Sequence, residues 1–304
     1  MKRIMVTGSN GLLGQKITDL SLLDPEIELI ATSVGPNRYL LKAGYTYEEL
    51  DVLDPQRLDE LVAKYHPDAI IHTAAMTNVD ACEHDRDKCY ALNVKSVENL
   101  IEVCQRRDIQ LIHLSTDFIF DGEDGPYTED AQANPLSYYG ETKLESEILL
   151  QNSSCNWAIL RTIIVYGIVN DMSRTNIVLW AKAALEKGEP INVVDDQWRM
   201  PTLAEDLAQC CLLAVKKNAK GIFNASGKDL MSILEIVERV ADYYGLDKTL
   251  INPISSESLN QAAKRPKKTG FILDKTRREL GYEPHSFEEG IAFMERQINA
   301  INKK

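Results

Sequence analysis

Apolar residues recur along the first half of the chain in two alternating rhythms. Short unbroken runs stand at Arg3–Thr7, Leu29–Thr32, Ala69–Thr73, Leu111–Ser115 and Trp157–Leu160. Between them, near Leu12–Leu22, Pro55–Tyr65, Asp87–Arg107 and Tyr138–Gln151, apolar positions return at helical spacing. The first rhythm predicts strands and the second amphipathic helices. The strand runs are apolar throughout rather than at alternate positions, as strands covered on both faces must be. Strands alternating with helices imply crossover connections, so the fold class expected is α/β, a doubly wound parallel sheet.

After about Gly167 the rhythm loosens. Helices are predicted over Ser173–Lys187, stopped by Gly188-Glu189-Pro190, and over Leu203–Lys217, Met231–Tyr244 and Phe287–Asn299. A short apolar run at Ile222–Ala225 is placed to return to the main sheet. The organisation expected is a main domain of residues 1–168 plus about 201–226, and a smaller mixed α/β region of about 169–200 plus 227–304 that covers it.

Composition narrows the functions available. The 304 residues are 44% apolar and 26% charged, ordinary for a globular protein with a real core. A net charge of -12 repels polyanions, which argues against nucleic acid and anionic membranes as partners. An anionic small molecule feels only its own pocket and is not excluded. No apolar stretch approaches the ~18 residues of a membrane span. The apolar run after Met1-Lys2-Arg3 ends at Thr7-Gly8, too short for a secretory signal, so a cytoplasmic location is expected. Six cysteines without a Cys-x-x-Cys pair read as reduced, packed thiols, and five scattered histidines without ligand spacing argue against a metal enzyme. His72 and His113, inside apolar runs, read as core or strand-end residues.

Chemistry enters at Thr7-Gly8-Ser9-Asn10-Gly11-Leu12-Leu13-Gly14, between the first strand and the first helix. The first glycine permits a tight turn, the second lets backbone approach a pyrophosphate, and the third lets helix pack closely on strand. A pyrophosphate there meets free N–H groups and the positive end of the helix dipole. The sheet is therefore expected to be Rossmann-type, with Gly8, Asn10, Gly11, Leu12, Leu13 and Gly14 holding a dinucleotide. The second strand ends in Ala31-Thr32-Ser33 with Arg38 beyond, and no carboxylate stands there to repel a ribose 2′-phosphate. Ser33 and Arg38 thus favour NADP(H), with NAD(H) still possible. Asp51 and Val52 are expected beside the adenine.

Tyr139 and Lys143 stand four residues apart at the start of a predicted helix and share one face. Reduction of a ketone by hydride needs a proton at the oxygen, and a free phenol with pKa about 10 is a sluggish donor. An ammonium beside it lowers that value, so Lys143 is expected to acidify Tyr139 and to reach the nicotinamide ribose. A hydroxyl at the end of a neighbouring strand, in Ser115-Thr116-Asp117, is placed to hold the substrate oxygen.

The glycine spacing together with Tyr139-x-x-x-Lys143 resembles the extended short-chain dehydrogenase/reductases. More narrowly, Ala74-Ala75-Met76-Thr77-Asn78-Val79-Asp80, Ser115-Thr116-Asp117-Phe118-Ile119-Phe120-Asp121-Gly122, Tyr139 through Glu147, Asp196-Gln197 with Pro201-Thr202, and Arg265-Pro266 resemble the dTDP-4-dehydrorhamnose reductase family over nearly the whole chain. The resemblance implies a nucleotide-sugar substrate, with Thr116 binding the sugar carbonyl, Tyr139 the general acid and Lys143 its partner. It implies Ala74 and Ala75 along the cofactor groove, Asp117 and Phe118 beside the sugar, Arg265 at the diphosphate, and Asn93 as a structural hydrogen-bonder. A homodimer is the usual state of the superfamily. Some members use magnesium at a subunit contact, but no carboxylate spacing here locates such a site.

Two departures bear on the substrate. Where the family usually has a substrate-contacting Trp this chain has Ile164, and Arg199 stands where small residues are usual. Three readings follow. One is NADPH-dependent reduction of the C4 ketone of a dTDP-linked 6-deoxyhexulose, giving dTDP-L-rhamnose or a near relative. Another is a different nucleotide-sugar reductase or an epimerase; a dehydratase is disfavoured because Phe118 follows Asp117 where an acid/base Glu is expected. The third is a non-catalytic regulatory subunit similar to the methionine adenosyltransferase beta subunit, which resembles this chain in the same motifs and also carries Ile at the Trp position.

Overall fold

The computed structural model describes residues 1–170, 172 and 175–302. In chain order the first half runs β1 (Lys2–Thr7), α1 (Leu12–Leu22), β2 (Ile27–Ser33), β3 (Thr46–Glu49), α2 (Pro55–Tyr65), β4 (Ala69–His72), α3 (Val79–His84), α4 (Arg86–Tyr90), a π-helical turn (Ala91–Lys95), α5 (Ser96–Arg107), β5 (Gln110–Thr116), α6 (Tyr138–Gln151) and β6 (Asn156–Thr162). The second half runs β7 (Val165–Tyr166), α7 (Ile177–Glu186), β8 (Ile191–Val194), β9 (Trp198–Arg199), β10 (Thr202–Leu203), α8 (Ala204–Lys216), β11 (Gly221–Asn224), β12 (Met231–Ser232), α9 (Ile233–Tyr244), β13 (Ile251–Ile254), α10 (Asp274–Leu280) and α11 (Phe287–Asn302).

Seven strands form one sheet in the order β11-β6-β5-β4-β1-β2-β3, and every neighbouring pair is parallel. The chain starts in the middle, winds outward through β2 and β3, then crosses back to β4. The order therefore reverses beside β1, and the crevice at the carboxyl ends of β1 and β4 is where open α/β sheets bind ligands. Alternate residues of each strand feed opposite faces, which is why the runs are apolar throughout. Ile4, Val6, Ile71 and Ile112 pack with α1 and α8 residues such as Ile17 and Leu207. Met5, Ile70 and Leu111 pack with Leu58, Leu61 and Leu100 from α2 and α5. A separate core joins α7, β8, α9 and α11 through Val178, Ile191, Ile236 and Ile291.

Local signals set the boundaries. Asp54 caps α2 by accepting from Arg57 N at 2.9 Å, Pro55 fills the first turn, and His66 ends the helix in left-handed backbone. Ser137 caps α6 by accepting from Gly140 N at 3.3 Å. The predicted strands appear, as do the helices near Leu12–Leu22, Pro55–Tyr65 and Tyr138–Gln151, and the Ile222–Ala225 run enters the sheet as β11, on the edge beside β6.

Two predictions change. The helix expected over Asp87–Arg107 is broken into α4, the π turn and α5. The wider turn carries Asn93, whose amide accepts from Met76 N at 2.9 Å and donates to Met76 O at 3.1 Å and Thr142 Oγ1 at 3.2 Å. The helix expected from Ser173 runs from Ile177, capped by Asn176, while Ser173 and Arg174 lie outside the described residues. β3, β8, β9 and β13 were not foreseen, being strands of two to four residues with little periodicity to read.

Candidate active site

A groove of about 900 Å³ opens at the switch point. At one end it is lined by Gly8, Asn10, Gly11, Leu12, Leu13, Ser33, Arg38, Ala74 and Ala75. At the other it is lined by Thr116, Asp117, Phe118, Tyr139, Lys143, Ile164 and Arg265, together with Arg199. One cavity thus gathers all the expected site residues except Gly14, Asp51 and Val52.

The glycine loop is shaped by what its neighbours leave free. Gly8 has φ +71°, and a Cβ there would lie 2.8 Å from Ala74 N. A Cβ on Gly14 would meet Ser9 Cα at 2.5 Å, so Gly14 works beneath the groove by letting α1 close onto the loop. At Gly11 the nearest atom is Gly8 O at 3.2 Å and the rest is open space. Gly11 is also the N-cap of α1, and no side chain caps that helix. Open backbone at an uncapped helix N-terminus fits a pyrophosphate. Arg38 is exposed, its backbone N–H held by Asn10 Oδ1 at 2.8 Å. Its guanidinium makes no hydrogen bond or ion pair among the described residues. Asp51 and Val52 directly follow β3, where Leu50 N–H still donates to Ser33 O at 3.0 Å, and they lie outside the lining of the groove. Asp51 is exposed and accepts from Leu53 N at 3.0 Å, while Val52 is buried with its carbonyl bonded to Asn99 at 3.1 Å.

At the other end, α6 leans onto the segment following β5. Gly140 makes this possible, since a Cβ there would sit 2.2 Å from Phe118 O. Tyr139 and Lys143 are both buried, and the Phe118 and Tyr139 rings meet edge to face at 5.8 Å. Thr116 donates to Asp117 Oδ1 at 3.1 Å and accepts from Phe118 N at 3.2 Å. Asp117 also accepts from the Thr269 hydroxyl and lies 3.6 Å from Arg199 Nε. Arg199 spends its remaining donors on the carbonyls of Trp198, Pro266 and Lys267. Its side chain is 2% exposed, so it braces the pocket wall rather than adding a free charge to the pocket. Asp117 is likewise committed: burial raises its pKa, against Arg199, Thr269 and Thr116. Arg265, expected at a diphosphate, lines the groove but is paired with Asp80 at 2.6 Å. Ile164 adopts φ +31°, strained backbone for a β-branched side chain.

The electrostatics correct the expectation for Tyr139. Burial pushes its phenol well above the ordinary value, and the Thr116 hydroxyl works in the opposite direction. Burial instead acts on Lys143, lowering it to about 8 against the charge of Glu147. The residue that sequence reasoning missed is His113, whose Nε2 lies 3.2 Å from Lys143 Nζ. Its signal was a polar ring inside the apolar run leading to Thr116. Among the described residues no group of three or more His, Cys, Asp or Glu side chains is arranged to hold a metal, and no helix is long and apolar enough to cross a membrane.

Comparison with known proteins agrees with this fold. Residues 1–299 match the family described as the RmlD substrate binding domain. A probable low-salt glycan biosynthesis reductase, Agl14, of Haloferax volcanii is 29% identical over 95% of this chain and 96% of its own length. Methionine adenosyltransferase 2 subunit beta of Xenopus tropicalis is 30% identical over 87% of this chain and 78% of its own length. The structure of dTDP-4-dehydrorhamnose reductase from Bacillus anthracis in complex with NADP superposes with a TM-score of 0.83 at 26% identity, covering 97% of this chain and 99% of that one. The chain belongs to the RmlD substrate binding domain family, and is a nicotinamide-dependent oxidoreductase with the extended short-chain dehydrogenase/reductase fold.

Proposed function

We propose that the chain reduces the C4 keto group of a dTDP-linked 6-deoxyhexulose with NADPH, converting dTDP-4-dehydro-L-rhamnose to dTDP-L-rhamnose. The observation that carries this reading is that Thr116, Tyr139 and Lys143 line the same groove as the open glycine loop. When bound, the nicotinamide supplies the hydride. Gly8, Asn10, Gly11, Leu12 and Leu13 would hold its pyrophosphate, Ala74 and Ala75 its flank, and Ser33 with Arg38 the 2′-phosphate. The NADP complex of the Bacillus anthracis reductase supports that cofactor preference.

In this reading Thr116 and Tyr139 hold the ketone oxygen and Tyr139 Oη gives it a proton as negative charge develops. The burial that raises the phenol keeps it protonated until that charge arrives, which suits a donor. Lys143 binds the nicotinamide ribose. Phe118 and Ile164 flank the sugar, Asp117 fixes the orientation of Thr116, and Arg265 offers its guanidinium to the diphosphate. Residues 1–168 with about 201–226 form the cofactor domain, and about 169–200 with 227–304 the substrate region. A cytoplasmic homodimer completes the proposal.

The test is an assay in which dTDP-4-keto-6-deoxyhexulose is supplied, NADPH loss is followed and the product sugar is analysed. Stoichiometric NADPH loss with formation of dTDP-L-rhamnose supports the reading. No turnover with active coupling enzymes refutes it. A regulatory-subunit reading is favoured by one observation, the 30% identity to the methionine adenosyltransferase subunit. Stable capture of a methionine adenosyltransferase catalytic subunit by this chain would favour it.

A further inference from the structure

Lys143 is buried at 3% exposure, and a buried ammonium must be compensated. The carboxylate whose charge acts on it, Glu147, is already engaged: Arg161 holds it through Nε at 3.0 Å and Nη2 at 2.7 Å. Among the described residues the hydrogen-bond partner of Lys143 Nζ is His113 Nε2, at 3.2 Å. The other titratable groups acting on this pair are His72 on β4, whose ring stacks on His113 at 5.8 Å, and Cys89 on α4. Burial and the Lys143 charge keep His113 far below its ordinary pKa, and His72 near 3, so both rings are neutral at working pH.

A neutral imidazole carries one proton, and the neighbours of His113 disagree about where it belongs. Lys143 as an ammonium can only donate, which requires a lone pair on Nε2. Ser146 Oγ lies 3.0 Å from the same Nε2 and gives its own proton to Lys143 O at 2.7 Å. Toward His113 it is left as an acceptor, which requires Nε2–H. His113 Nδ1 is buried with no partner, so neither tautomer gains anything on that side. The contradiction resolves in two ways. With Lys143 charged, Nε2 accepts from it and the ring proton sits on Nδ1. With Lys143 neutral, Nε2–H points at Ser146 Oγ.

We propose that His113 is a positioning residue for Lys143, its Nε2 holding the ammonium against the groove while its tautomer switches with the protonation of Lys143. Structurally, this replaces a charged counter-ion with a neutral acceptor, leaving the other two ammonium N–H groups for ligand. The use of those N–H groups rests on the dinucleotide reading, but the tautomer switch does not.

The experiment uses the full chain without ligand, labelled with 15N at histidine, with His113→Gln assigning the His113 signals. Between pH 6.5 and 9.5 the His113 ring should pass from the Nδ1–H to the Nε2–H tautomer with a midpoint near 8, and this step should vanish in Lys143→Met. A ring fixed as Nε2–H throughout, or a step that survives in Lys143→Met, overturns the proposal. A second measurement is NADPH affinity against pH. His113→Leu, which removes the acceptor, should shift the alkaline loss of affinity down by about one pH unit, a tenfold change in the protonation equilibrium. His113→Gln, which retains an acceptor, should restore the wild-type profile. An equal loss at every pH would mark a merely structural role and overturn the proposal. Wild-type protein that binds no NADPH at any pH would refute the dinucleotide reading instead, with the tautomer step still deciding the role of His113.

Discussion

The two ends of the groove handle charge in opposite ways. At the glycine-loop end the donors are uncommitted: the first turn of α1 has no side-chain cap, and the Arg38 guanidinium makes no ion pair among the described residues. At the Tyr139 end the carboxylates are already paired, Asp117 with Arg199 and Thr269, Asp80 with Arg265, and Glu147 with Arg161, while the buried Lys143 ammonium rests on the neutral ring of His113. The first end is built to receive charge from a polyanion. The second keeps its carboxylates paired in the walls and presents hydroxyls, a phenol and an aromatic face, which in the proposed function would meet a neutral sugar ketone. Burial bears on this division, because keeping a charge dry at the Tyr139 end is costly, and that cost lowers Lys143.

The contrast can be broken at several points. Gly11→Val would put a branched side chain where the loop is open, and NADPH affinity should fall by about 100-fold or more, close to 3 kcal/mol. Titration by protein fluorescence measures it, and undiminished affinity would remove the cradle. Glu147→Gln leaves the buried Arg161 charge without its carboxylate, which should cost about 3–5 kcal/mol of stability in denaturant unfolding. A change below ~1 kcal/mol would show that the pair does not brace the sugar end. Arg38→Ala should weaken NADPH by roughly 10- to 100-fold and NADH little, since a charged hydrogen bond is worth about 1.5–3 kcal/mol. Equal losses for both cofactors would deny Arg38 its 2′-phosphate role.

A further contrast concerns pH and stability. His72 and His113 have pKa values held below the unfolded value of about 6.5, His72 near 3. The unfolded chain therefore binds more protons below about pH 6.5, so the stability they contribute is present above that pH and lost as pH falls toward 3. The slope is up to about 1.4 kcal/mol per pH unit for each histidine. Replacing His72 by Asn should flatten the acid limb of an unfolding curve, and an unchanged limb would mean that the ring is protonated in the fold.

Much of the cofactor end was legible from the chain because its signals are local. Gly8, Gly11 and Gly14 fall within one strand-to-helix turn, and the runs that make β1, β2, β4, β5 and β6 are apolar on both faces. Tyr139 and Lys143 were legible for the same reason, being one helical turn apart. What could not be read depends on segments distant in sequence. Asp117 meets Arg199 and Thr269, 82 and 152 positions away, and no local pattern announces such partners. The direction of the Tyr139 shift was misjudged because spacing places Lys143 near the phenol but says nothing of how dry the site is.

The most direct test of the account follows deuterium from the reduced nicotinamide into the sugar. With dTDP-4-keto-6-deoxyhexulose and NADPH deuterated at the transferring position, the wild-type protein should place deuterium at C4. Tyr139→Phe, with NADPH bound within a few-fold of wild type, should do so at least about 100-fold more slowly, the scale of a lost general acid. Deuterium transfer at the wild-type rate in Tyr139→Phe, or none at C4 with the wild type, would contradict it.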